Sequence, residues 1–238
     1  MGTLWIIAAS AAAVPAVLAA VLFLMYKRIF RGFSPVDTGS LGGGVFAVRD
    51  RYVNLYLIEN CAGGFTAVDA GISPESVGRE LAALGISPEA VTAVFLTHSD
   101  FDHTGGLSLF SRAEVFLAEE EMRMIDGTTA RGPGKRNSVP GPVTSLPAGT
   151  VLERDGLTVS VVPCPGHTPG SVSYLIKGSL LFTGDSISLK DGKARPFVRF
   201  FNMNNTAQRE SMARLAGLDG VGAVFTGHYG MVRNSLKC

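Results

Sequence analysis

His98-Ser99-Asp100-Phe101-Asp102-His103-Thr104-Gly105-Gly106 is the stretch on which the reading of this 238-residue chain turns. Two imidazoles and two carboxylates stand within six residues, directly after the apolar run Thr92 to Leu96, which reads as a strand. Donors at two-residue spacing on a turn can converge on one cation, and the adjacent Asp102-His103 pair can face a second. Gly105-Gly106 lets the backbone pack closely beneath them. Taken alone, the cluster is equally compatible with a solvated acidic turn.

The remaining histidines shift that balance. The chain has four, and the two outside the cluster lie in Pro165-Gly166-His167-Thr168-Pro169-Gly170 and Thr226-Gly227-His228-Tyr229. Gly184-Asp185 stands between them after the apolar segment Leu180 to Phe182. Imidazole and carboxylate donors are therefore available at His98, Asp100, Asp102, His103, His167, Asp185 and His228, enough for two first-row metal ions with an exchangeable water between them. This inventory points to a metal-dependent enzyme.

Around these donors the chain alternates strand-like and helix-like segments. Val45 to Val48, Tyr52 to Ile58 and Phe65 to Val68 read as a β-meander. Ser73-Pro74-Glu75 opens a helix whose face carries Val77, Leu81 and Leu84 and which stops at Gly85. Further strands are predicted at Glu114 to Ala118, Val151 to Leu152, Leu157 to Val162, Val172 to Ile176, Leu180 to Phe182 and Ala223 to Phe225. A late helix is predicted from about Thr206 to Ala216, burying Met212 and Leu215. There is no internal repeat.

The ordered set His-x-Asp-x-Asp-His, His, Asp, His, together with Asp69 in Val68-Asp69-Ala70-Gly71, resembles the metallo-β-lactamase superfamily over about residues 44 to 238. The resemblance implies an α/β (α+β) fold, a four-layer αββα sandwich with a dinuclear site at one edge of its two sheets. It implies that His98, Asp100 and His167 hold one metal, that Asp102, His103 and His228 hold the other, and that Asp185 bridges both, with Asp69 in a supporting structural role. One position departs from the commoner pattern, which has histidine where this chain has Asp100. An extra anionic oxygen donor suits harder ions, so iron or manganese competes with zinc for the two divalent positions.

The implied activity is hydrolysis, with a metal-bridging hydroxide attacking an ester, thioester, lactone or phosphodiester of a small molecule. Asp102 is the candidate to orient the nucleophile or shuttle its proton, and Tyr229 to donate to the substrate oxygen. The Gly- and Pro-rich segment between Gly127 and Leu152 reads either as a solvated loop or as a flap whose Arg131, Lys135 and Arg136 hold an anionic substrate group. Lys193, Arg195 and Arg199 are placed to share that role, and Phe197, Phe200 and Phe201 to wall an apolar pocket or enter the core. No nuclease-type insertion, flavodoxin-like domain or helical extension of the glyoxalase II kind is recognised. The alternative on the same fold is an iron-dependent oxidoreductase of flavodiiron or persulfide dioxygenase type.

Composition bounds the rest. At 25.0 kDa with a formal net charge of +1, nothing suggests a nucleic-acid partner. From Thr3 to Tyr26 there is no charged residue, and such a helix reaches roughly 36 Å against a hydrocarbon core of about 30 Å. Trp5 and Tyr26 flank it. The expectation is a single-pass membrane anchor over residues 3–26 and a juxtamembrane linker over 27–43. Lys27, Arg28 and Arg31 then place a catalytic domain of residues 44–238 in the cytoplasm. The three cysteines, Cys61, Cys164 and Cys238, have no metal-binding spacing and read as ordinary thiols.

Overall fold

The computed structural model describes residues 15, 17–24 and 27–233 and divides into two compact units, Met1–Ser34 and Pro35–Cys238. In the first unit, residues 17–24 and 27–31 are helical. The expected membrane anchor finds no support here. Among the described residues no helix is long and apolar enough to cross a membrane. Much of the anchor segment, residues 3–14, 16, 25 and 26, lies outside the described residues.

The second unit is built on two sheets. The first has seven strands in sequential order: β1 (Gly39–Gly42), β2 (Val45–Asp50), β3 (Val53–Glu59), β4 (Phe65–Val68), β5 (Val91–Phe95), β6 (Glu114–Ala118) and β7 (Thr144–Leu146). Pairing is antiparallel as far as β4 and parallel beyond it. The chain then forms β8 (Val151–Arg154), β9 (Leu157–Pro163), β10 (Val172–Ile176) and β11 (Leu180–Phe182), a separate hairpin of β12 (Ile187–Lys190) and β13 (Lys193–Pro196), and finally β14 (Ala223–Phe225) and β15 (Met231–Arg233). The second sheet is ordered β15-β14-β11-β10-β9-β8, with only β11 and β14 parallel.

Three apolar clusters show why these layers stack. Along β3, Tyr56 and Ile58 enter a core shared with Phe95 of β5 and with Val159, Tyr174, Phe182 and Phe225 of the other sheet. The alternate residues Leu55 and Leu57 pack on the opposite face against Val77 and Leu81 of helix α1 (Pro74–Ala83). On the far side of the second sheet, Leu181 and Val224 meet Leu215 of the long C-terminal helix. The period of two therefore buries both faces of each sheet, which is the physical content of the αββα sandwich. Each fully buried side chain of this size contributes about 1.5–3 kcal/mol. Stacked pairs at 4.7 Å (Phe95–Phe116) and 4.6 Å (Phe182–Phe225) fill the middle.

The helices follow local chemistry. Ser73 caps α1, its hydroxyl accepting from the Ser76 N–H at 3.4 Å, with Pro74 in the first turn. After α2 (Phe101–Thr104) and α3 (Met122–Asp126), α4 (Asn205–Ala216) is capped by Asn204, which accepts from Thr206 and Ala207. Leu215 is buried in α4 as expected and Met212 is partly buried. β1 lies inside the stretch read as a linker, where glycines at both ends hide a strand signal. β7, β12, β13 and β15 are likewise short additions to the predicted set.

Candidate metal centre

Because β4 and β5 are parallel, and β11 and β14 are parallel, their carboxyl ends open on common edges. Asp69 follows β4, His98 follows β5, Asp185 follows β11 and His228 follows β14, while His167 lies in the loop between β9 and β10. The strand ends are bolted together by backbone and tyrosine bonds. Tyr174 donates its hydroxyl to the Leu96 carbonyl and Tyr56 to the Thr226 carbonyl, both at 2.8 Å, and the Val172 N–H reaches the Thr97 carbonyl at 2.9 Å. The cluster turn itself is one turn of helix, α2. Asp100 stands at its N-cap without capping it, so its carboxylate is free to face the site. Gly105 and Gly106 lie against the Ile72 and Ala70 carbonyls, where a Cβ would stand at 2.1 Å.

All the sequence-derived donors come together. Three groups place their donor atoms within 4.8 Å of one another: His98, Asp100 and His167; His98, His103 and Asp185; and Asp102, His103 and His228. The four histidines and Asp185 are buried, with Asp100 and Asp102 at the rim. Asp185 sits in the middle. Its Oδ1 is 3.4 Å from His103 Nε2 and 3.2 Å from His228 Nε2, and its Oδ2 is 3.4 Å from His167 Nε2. His98 Nε2, His103 Nε2 and Asp185 Oδ1 are buried without a hydrogen-bond partner. Buried polar atoms are normally satisfied. Orphans of this donor type converging on one space fit divalent cations.

The orienting contacts are equally specific. Asp69 accepts from the Thr97 N–H through Oδ1 at 2.7 Å and meets His103 Nδ1 through Oδ2 at 2.8 Å, which turns His103 Nε2 into the site. His228 Nδ1 lies 2.7 Å from the Tyr52 carbonyl, and the Tyr52 ring stacks on the His228 ring at 5.8 Å. His98 Nδ1 lies 3.0 Å from Thr97 Oγ1. Glu121, which sequence reasoning did not single out, is fully buried. It accepts from the Ser99 N–H and hydroxyl through one oxygen and from the Thr168 hydroxyl and Gly170 N–H through the other. It thus clamps the loop of Asp100 to the loop of His167.

Electrostatics separate the groups. Burial, reinforced by His103 and His167, holds His98 well below the ordinary histidine value. Burial also pulls His103 and His228 down, but Asp69, Asp185 and Asp102 raise His103 well above that value, and Asp185 and Asp102 raise His228. For Asp185, burial is outweighed by the three facing histidines, which keep its carboxyl well below the usual range. Burial lifts Asp102 instead, helped by Asp185 and Asp100.

A family model described as the metallo-beta-lactamase superfamily matches residues 48–228. The chain belongs to the metallo-beta-lactamase superfamily. A metallo-beta-lactamase family protein of Thermus thermophilus superposes with a TM-score of 0.62 at 26% identity, covering 82% of this chain and 76% of that one. Among curated relatives, a hydroxyacylglutathione hydrolase of Synechococcus sp. (strain JA-2-3B'a(2-13)) is 32% identical over 146 residues, 59% of this chain. A probable metallo-hydrolase of Mycobacterium tuberculosis is 28% identical over 176 residues, 63% of this chain. The chain spans 50% and 57% of the length of those two relatives.

Other residues proposed from the sequence occupy different places in this metallo-beta-lactamase fold. Tyr229 is half-buried beside the site, its ring 6.1 Å from Phe197. Burial and Asp185 both push its hydroxyl pKa up. Phe197 is buried against His167 and His228, whereas Phe200 is 70% exposed. Lys135, Arg136, Lys193, Arg195 and Arg199 are exposed. Arg131 is exposed as well, but its guanidinium is directed onto Asp100, 2.6 Å from its Oδ2.

Proposed function

We propose that this chain is a metal-dependent hydrolase of small esters or thioesters, working with two divalent ions held by His98, Asp100 and His167 on one side and Asp102, His103 and His228 on the other. The observation that carries the reading is the placement of Asp185, whose two carboxylate oxygens face different imidazoles of these two sets. Zinc is the expected ion. When bound, such ions supply Lewis acidity and bring the pKa of a bound water from 15.7 toward roughly 7.

The chain's own groups divide the remaining work. Asp69 fixes the His103 ring, and Glu121 holds the Asp100 and His167 loops at a constant separation. Asp102, whose Oδ2 lies 3.6 Å from His228 Nε2, is the group placed to take and return a proton. Phe197 shields His167 and His228 from water, and Tyr229 faces the rim where a substrate oxygen enters. Lys135 and Arg136 stand on the exposed loop that a negatively charged substrate group meets first. The cyanobacterial relative's name favours a thioester.

The test is hydrolysis of a hydroxyacylglutathione thioester, a p-nitrophenyl ester and a phosphodiester by the purified full chain, with bound metal measured alongside. Turnover that survives both chelation and His103→Ala removes the proposal. A second reading rests on the donor sets, since each of the three groups offers two histidines and one carboxylate, the donor set of non-haem Fe(II) oxygenases. Iron in anaerobically purified protein, together with oxygen consumption, selects that reading. Zinc with no oxygen uptake excludes it.

A further inference from the structure

Arg131 occupies a position that a metal ligand set should keep open. Its Nη2 is 2.6 Å from Asp100 Oδ2 and 3.0 Å from His167 Nε2, its Nε is 3.4 Å from Asp100 Oδ1, and its Nη1 donates to the Phe201 carbonyl. From the same loop, Asn137 donates through Nδ2 to Asp100 Oδ1 and to the Ser99 hydroxyl, both at 2.8 Å. Asp100 Oδ2 therefore already accepts from a cationic N–H, and His167 Nε2 lies 3.0 Å from both that guanidinium nitrogen and Asp100 Oδ2. The third donor atom of the group, His98 Nε2, lies 3.7 Å from Asp100 Oδ2 and has no hydrogen-bond partner. His167 Nε2 also lies 3.4 Å from Asp185 Oδ2, and in the Asp102, His103 and His228 group the close charge contacts run to Asp69, to Asp185 and to one another, with no guanidinium among the described residues.

An N–H aimed at an imidazole or carboxylate lone pair uses the electrons that a metal ion needs, and the two cations repel each other. A guanidinium pairing with a carboxylate through two nitrogens is also the strongest competitor the side-chain repertoire offers. We propose that Arg131 is a built-in competitor for the first metal position: it fills the cation place of the His98–Asp100–His167 group, and an ion enters there only by displacing Arg131 and the loop around it. The Asp102–His103–His228 position, into which no guanidinium points among the described residues, fills first. The two sites consequently differ in affinity, and loading of the weaker one is coupled to opening of the segment around 127–143. This inference rests on the metal-centre reading.

The experiment is a Zn²⁺ titration of metal-free full chain against a competing chelating indicator, with bound zinc counted by mass spectrometry and amide hydrogen exchange followed over residues 127–143. The wild type should take up zinc in two steps separated at least about tenfold in affinity, with loop exchange rising only in the second. Arg131→Ala should strengthen the second step about tenfold or more and leave the first where it was. Arg131→Lys, which keeps the charge but loses the fork, should fall between. Two equal steps in the wild type, or a second step unmoved by Arg131→Ala, overturn the role of Arg131 while leaving the metal centre intact. A chain that binds no zinc at all overturns both. Should Arg131→Ala fail to fold, the wild-type exchange profile decides alone: a loop equally protected at one and two zinc ions refutes the displacement.

Discussion

Replacing Asp69 with asparagine changes one oxygen into an amide and nothing in the shape of the site, yet the hydrogen-bond geometry permits only one outcome. The Thr97 N–H needs an acceptor at the Oδ1 position, 2.7 Å away, so the asparagine oxygen has to stay there. Its NH₂ group then replaces Oδ2, 2.8 Å from His103 Nδ1. Two donors cannot face each other in a buried site, so His103 must accept at Nδ1 and carry its proton on Nε2, the nitrogen directed at Asp185 and the metal space. Losing an orienting partner of a ligating histidine typically costs about 10–100-fold in metal affinity, or roughly 1.4–2.7 kcal/mol. The assay is zinc affinity by chelator competition. The metal-free protein supplies an independent readout. His103 has its folded pKa raised above the ordinary 6.5, in large part by Asp69. Its stabilisation is thus fully present below 6.5 and lost as pH rises through the raised value. Urea titrations of metal-free Asp69→Asn should therefore show a flatter loss of stability above about pH 6.5 than the wild type. An unchanged zinc affinity in a folded Asp69→Asn protein refutes the reasoning.

Three further outcomes follow from the same geometry. Glu121→Ala leaves the Ser99 and Gly170 N–H groups without an acceptor, at about 1–3 kcal/mol each, so the metal-free chain should lose roughly 2–6 kcal/mol in chemical denaturation; a loss under about 1 kcal/mol contradicts the clamp. Gly227→Ala places a Cβ 2.8 Å from His103 Cε1 and 2.9 Å from Asp185 Oδ1, and should lower zinc stoichiometry far more than it lowers stability, which metal analysis beside thermal melting will show. Zinc uptake should release about one to two protons per chain near pH 7 and tighten as pH rises, because His103 and His228 have raised pKa values in the metal-free site. Calorimetry in buffers of different ionisation enthalpy measures this, and uptake with no proton release counts against those assignments.

How much was legible depended on whether the signal was local. His98 to Gly106 announces itself because four donors and two glycines are adjacent, and the central strands are readable because a two-sided core demands apolar runs such as Leu55 to Ile58. Glu121 is the opposite case. In Glu119-Glu120-Glu121 nothing distinguishes the third acid from its exposed neighbours, and only the fold brings it beneath Ser99 and Gly170. Tyr56 and Tyr174 likewise look like any apolar strand residue until the carbonyls of Thr226 and Leu96 are placed beside their hydroxyls. The β12–β13 hairpin did carry a usable sign, the Asp191-Gly192 turn, but strands of four residues offer too few alternations to register as a period. Arg131 was recognisable as a loop cation, and its direction was not, since composition says nothing about which way a loop folds.

The direction of Arg131 onto Asp100 and the raised pKa values of His103 and His228 express one physical fact. Three carboxylates, Asp100, Asp102 and Asp185, face a largely buried space, and desolvated anions require nearby positive charge. That charge is offered by the Arg131 guanidinium on Asp100 and by the imidazoles around Asp185, where the carboxylates raise the proton affinity of His103 and His228. On the proposed reading, divalent ions at the same positions would replace the guanidinium and the protons together, which makes metal uptake, proton release and loop opening three readings of a single exchange of cations. A carboxylate at position 100 can be satisfied by Arg131 when the ion is absent, whereas a neutral imidazole gives a guanidinium far less to hold.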